Sequence, residues 1–116
     1  MSAFEKSKTI KDSVLFNRLS KVVPSAMRSL LHPNEMGVAT KIAEQIISVV
    51  LYDDIDVSGE VAKFSREYYE FAELQCGIQS FIIWERLQSA NHPDANVFAK
   101  KAKTHFNNFM ICQKHD

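Results

Sequence analysis

Three glycines, Gly37, Gly59 and Gly77, and three prolines, Pro24, Pro33 and Pro93, are all the conformational punctuation this chain carries. Between them apolar residues recur every three or four positions rather than every two, which is the period of a helix and not of a strand. The expectation is an all-α fold. At 116 residues such a chain forms one domain and buries roughly two thirds of its unfolded surface, enough for a core without covalent staples. The 46% hydrophobic content excludes global disorder.

The helices follow from the spacing. A first segment from about Thr9 to Val23 places Ile10, Val14, Leu15, Leu19 and Val22 on one side, and Pro24 opens a short helix through Leu31. His32-Pro33-Asn34-Glu35 starts a third helix, with proline suited to the first turn and the acidic residue to the positive end of the dipole. Its stripe is Met36, Ala39, Ala43, Ile46, Ile47 and Val50. After a loop over Asp53–Glu60, where Asp56 or Ser58 is a candidate cap, a long penultimate helix is expected over about 59–89, with a kink at Gly77. Asn91-His92-Pro93-Asp94 then leads into a last helix with Phe98, Ala102, Phe106 and Phe109 inward, ending near Gln113. Four main helices and a short one make a compact bundle.

Charge is balanced, with 14 Lys and Arg against 14 Asp and Glu, which argues against a protein built to wrap nucleic acid. Its distribution is uneven. Residues 1–31 carry six basic and two acidic side chains, residues 32–99 four and eleven, and residues 100–116 four and one. Lys100, Lys101 and Lys103, with His105 beyond, offer phosphate contacts, but without interleaved exposed aromatics nucleic-acid binding is not favoured. Two cysteines, Cys76 and Cys112, are too few for a disulfide framework. The N-terminus reads unlike a signal peptide, and no apolar run approaches the roughly 20 residues of a membrane span. A soluble, cytoplasmic protein is expected.

The long helix is the most informative segment. Val61, Phe64, Tyr68, Phe71, Ile78 and Ile82 form one stripe, opposed in the first half by Lys63, Arg66, Glu70 and Glu73. In the second half Cys76, Phe81, Ile83, Trp84 and Leu87 point in several directions, so the helix is apolar nearly all round and buried nearly all round. Either it occupies the centre of the bundle, or Phe81 and Trp84 face another chain, as aromatic residues do in interface cores. The second option is the expectation taken forward: a partner-binding surface of Tyr69, Phe81 and Trp84 rimmed by Glu67, Glu70 and Glu73, with homodimerisation its simplest form.

Several motifs touch known chemistry. Arg86-Leu87-Gln88-Ser89-Ala90-Asn91-His92 ends the long helix and enters the following loop. This resembles the Arg-x(4–6)-His motif of HEPN-type ribonucleases, helical bundles whose paired motifs meet across a dimer. The resemblance implies metal-independent RNA cleavage, with Arg86 on the scissile phosphate and His92 in proton transfer. The residue after the arginine, usually polar in that family, is Leu87. Read on their own, Arg86 is a helix C-terminal cation and His92 a solvated loop residue.

Asp54-Ile55-Asp56-Val57-Ser58-Gly59-Glu60-Val61 resembles the opening of an EF-hand loop, but position twelve is Ser65 instead of the bidentate glutamate, so a capping loop is expected. Glu67, Glu70 and Glu73 stand one turn apart, as in all-α nucleotide pyrophosphatases. The later ExxD of that pattern is here Glu85-Arg86-Leu87-Gln88, whose Gln88 amide cannot replace the aspartate's charge. Cys112-Gln113-Lys114-His115 has half of a zinc spacing and no second half. None of the four histidines meets the pattern of a histidine phosphotransfer domain, and no phosphate loop or nucleophile elbow occurs. No cofactor or metal is expected. The composite expectation is a small protein–protein interaction or regulatory protein, an adaptor, inhibitor or immunity-type factor, with a HEPN-like ribonuclease using Arg86 and His92 across a homodimer as the alternative.

Overall fold

The computed structural model describes residues 13–52 and 57–114, with side chains for all of these except 52, 60 and 65–67. Among the described residues there are six helices: α1 (Val14–Ser20), α2 (Val23–Leu31), α3 (Met36–Tyr52), α4 (Val57–Glu67), α5 (Tyr69–Ser89) and α6 (Ala95–Lys114). The all-α expectation holds.

Three of the boundaries have a local cause. Ser13 caps α1: its backbone is extended and its hydroxyl accepts the Phe16 N–H at 3.2 Å, satisfying a donor the first turn would leave orphaned. Pro24 has no N–H to continue α1, but it fits the first turn of α2, so the chain breaks at Lys21 and Val22 and restarts. At the end of α5, Asn91 adopts φ 55°. Its N–H donates to the Gln88 carbonyl at 3.1 Å and the His92 N–H to the Leu87 carbonyl at 2.8 Å. This pair of bonds is the Schellman arrangement, with asparagine in the left-handed position that glycine usually takes.

The expected helix over 59–89 is two helices. Tyr68 is extended, with φ −128° and ψ 114°, and separates α4 from α5. On an unbroken helix Phe64 and Phe71 would stand ~10 Å apart along the axis. With the break their ring centroids are 5.7 Å apart, and Tyr68 lies 5.5 Å from Phe64. Tyr68 keeps both of its backbone hydrogen bonds, donating to the Phe64 carbonyl at 2.8 Å and accepting from the Ala72 N–H at 3.2 Å, so the chain turns here and buries the aromatic cluster without orphaning that residue's backbone. Gly77, the expected kink, lies within continuous helix.

The second half of the former long helix lies at the centre of the bundle. α5 contacts α1, α3, α4 and α6, and its pairing with α6 is the most extensive in the fold. The short 90–94 connection makes α5 and α6 antiparallel neighbours. One core cluster draws on all six helices. In it Phe16 stacks on Phe71 at 6.2 Å and meets Phe109 edge-on at 5.9 Å, joining α1, α5 and α6. The expected stripes are broadly recovered in Leu15, Leu19, Ala39, Ala43, Ile46, Ala102, Phe106 and Phe109, all buried. Val14 and Val50 instead reach solvent. Ile10 and the Asp54–Asp56 part of the EF-hand-like loop lie outside the described residues, as does His115 of the half zinc spacing. No described helix is long and apolar enough to cross a membrane.

Candidate functional site

The structure separates the residues expected to form a partner surface. Phe81 is 0% and Trp84 2% exposed within the single chain, their rings 5.4 Å apart. This corrects the expectation that they face a partner: α5 is surrounded by other helices, so side chains that leave its main stripe in several directions all find neighbours. Self-association through these two rings has no basis. Tyr69 is exposed, as expected, and the Glu67 side chain lies outside the described ones.

Glu70 and Glu73 are buried, not a solvated rim. Glu73 Oε2 lies 2.7 Å from His105 Nδ1 and accepts from Asn108 Nδ2 at 3.3 Å, while Gln113 Nε2 donates to Glu70 Oε2 at 2.8 Å. Tyr69 completes the group by hydrogen bonding to Glu73, which raises its own phenol pKa above the ordinary value. At Glu73, burial pushes the carboxyl up. The hydrogen bonds from His105, Tyr69 and Asn108, together with the His105 charge, outweigh it and hold Glu73 below the usual range. The cluster is an α5–α6 clamp, because every acceptor on Glu70 and Glu73 described here meets a donor from the facing helix or its own turn. Among the described residues no three His, Cys, Asp or Glu side chains converge as metal ligands would.

His105 was legible in the sequence only as the end of a basic run. Its neighbour Phe106 is on the core stripe, so His105 flanks the seam with α5, and that position is the signal that finds it. Lys101, from the same run, holds its ammonium 5.1 Å from the Phe98 ring centroid.

Arg86 and His92 are both exposed. The Arg86 carbonyl accepts the Ala90 N–H at 3.2 Å, and His92 Nδ1 accepts the Asp94 N–H at 3.0 Å. Both residues therefore take part in the turn between α5 and α6, Arg86 in addition placing a cation at the negative end of α5.

An apolar concave feature lies elsewhere, where α1, α3, α4 and α5 meet. It is a pocket of about 480 Å³, within the range of sites that hold small ligands or anchor side chains. Each helix supplies residues one turn apart: Leu15 and Leu19, Ile46 and Val50, Val57 and Val61, Ile78 and Ile82. Leu15, Leu19, Ile46 and Ile78 are buried and make the floor, while Val50, Ser58, Ala62 and Gln79 are exposed and make the mouth. Among the described residues no charged side chain lines it. Leu51, beside Val50 in the chain, is 65% exposed. Sequence periodicity could not find this site, because the same stripe residues would fill a closed core had the four helices met more tightly.

No protein-family model, no curated protein and no solved structure matches the chain.

Proposed function

We propose that this chain is a small binding protein that recognises a macromolecular partner by receiving the partner's apolar anchor side chains in the pocket between α1, α3, α4 and α5. The carrying observation is the 480 Å³ pocket, whose lining among the described residues is uncharged. Binding energy in protein interfaces concentrates where a few large side chains enter desolvated pockets, and an apolar cavity open to water gains by being filled. Val50 and Leu51 extend apolar surface at the C-terminal end of α3. The anchor is uncharged, since nothing in the lining would compensate a buried charge. Regulation through binding, as an adaptor, inhibitor or immunity-type factor, fits a rigid bundle presenting one such site.

The test is capture from native lysate by the tagged full chain, with and without nuclease, in parallel with Ala62→Trp. That substitution fills the pocket from an exposed rim position, so the bundle stays folded, as circular dichroism will verify. A stoichiometric protein that survives nuclease and is lost by Ala62→Trp is the expected result. Identical capture by both forms overturns the proposal. So does recovery of RNA alone, dependent on Arg86 and His92, which would install the ribonuclease reading.

A further inference from the structure

The corner between α2 and α3 holds a second, smaller pocket of about 300 Å³, lined by Ser25, Arg28, Ser29, Glu35 and Val38. Ser25, Arg28 and Ser29 share one face of α2, at spacings of three and four. Glu35 and Val38 face them from the start of α3, brought round by the His32–Glu35 turn, in which the Glu35 N–H donates to the His32 carbonyl at 3.1 Å.

Three features of this pocket are unsatisfied. Arg28 and Glu35 line the same small space with opposite charges, yet neither is ion-paired with the other or with any described residue. The hydroxyl of Ser29, a residue only 4% exposed, has no hydrogen-bond partner, and among the described residues it is the one buried side-chain oxygen or nitrogen in that condition. A buried orphan of this kind costs free energy, and a water or a polar ligand in the pocket relieves it. A serine hydroxyl turns about χ1 among staggered positions, so a group in the pocket can recruit it.

We infer that this corner binds a small zwitterion of the free α-amino acid type, its carboxylate on Arg28 and its ammonium on Glu35. The charges select the class: a dianion is opposed by Glu35 and a dication by Arg28, whereas a zwitterion satisfies both. A pocket of about 300 Å³ has room for a free amino acid. Ser25 and Ser29 supply hydroxyls for the remaining carboxylate lone pairs, and Val38 supplies the apolar contact for a short side chain. The inference stands apart from the binding pocket proposed above, which involves none of these residues.

The experiment follows backbone amide chemical shifts of residues 25–38 in the full chain during titration with glycine, L-serine and L-valine. N-acetyl-L-serine, which lacks the ammonium, and L-serinamide, which lacks the carboxylate, are the controls. The free amino acids are expected to shift these amides saturably by about 10 mM, a concentration that fills most of a site with ~1 mM affinity, and the two capped forms are not. Arg28→Gln and Glu35→Gln, both at exposed positions that leave the fold intact, are each expected to weaken binding about tenfold. Absence of any saturable shift, or equal response to the capped forms, overturns the inference and leaves a solvated void beside Ser29.

Discussion

A Cβ atom built on Gly77 would stand 2.6 Å from Cδ1 of Phe106. The ring of Phe106 lies against the backbone of α5 with no room for a methyl group, and this close approach sets the depth of the α5–α6 seam. Phe106 is fully buried, so its ring cannot swing away without displacing the core. Gly77→Ala gains ~1 kcal/mol of helix propensity and incurs an overpacking cost of ~1–3 kcal/mol. The expected balance is a loss of ~1 kcal/mol in urea denaturation, larger for Gly77→Val. In a Phe106→Leu background the same alanine is expected to be neutral or stabilising, because the clashing atoms are gone.

Trp84 is the single tryptophan and is 2% exposed within one chain. Its emission is expected to be blue-shifted, poorly quenched by acrylamide and independent of protein concentration. Quenching that falls as concentration rises would show that the ring is covered by a second chain instead. Trp84→Ala, which empties the space beside Phe81, is expected to cost ~3–5 kcal/mol, a large share of the ~5–15 kcal/mol available to a domain.

The Glu73 carboxyl ionises below its ordinary range in the folded chain, so the folded state binds its proton less readily than the unfolded state. The stability it contributes is complete above the unfolded value of ~4.3 and is lost as pH falls through the lower folded value. Glu73→Gln keeps the shape but loses the charge on His105 and Tyr69. It is expected to flatten the acid limb of the stability–pH curve and to cost ~1–2 kcal/mol at neutral pH. Tyr69 behaves in the opposite sense: its raised pKa contributes stability below the ordinary phenol value of ~10, lost as pH rises through the folded value. Tyr69→Phe is expected to remove a phenolate that forms above the ordinary phenol value from the ultraviolet difference titration. Loss of the acid limb's slope in wild type but not in Glu73→Gln would contradict this account.

Asn91 holds the left-handed position that ends α5. Asn91→Gly is expected to leave stability unchanged or slightly raised, while Asn91→Val, which must adopt the same φ against its branched Cβ, is expected to lose ~1–2 kcal/mol. Thermal melts followed by circular dichroism measure both. Equal melting points would mean that the turn relaxes without using this conformation.

Much of this architecture is local in origin and could be read along the chain. The period of Leu15 and Leu19, of Ala39, Ala43 and Ile46, and of Ala102, Phe106 and Phe109 records which side of each helix meets the core. Pro24 and the His32–Glu35 turn mark breaks through backbone chemistry that operates within a few residues. The features that escaped reading depend on which helix faces which. Whether Phe81 and Trp84 were core or interface depended on how many neighbours surround α5, and periodicity along one helix carries no information about that number. The break at Tyr68 is neither a proline nor a glycine effect: it follows from the gain in bringing Phe64 to Phe71, a contact that exists only after the chain turns. Glu73 and His105 are 32 residues apart, and a hydrogen bond at that separation leaves no local mark in either segment. The same holds for the apolar pocket and for the Arg28–Glu35 corner, since a cavity is the space that packed elements fail to fill, and it exists only when the helices are placed against one another.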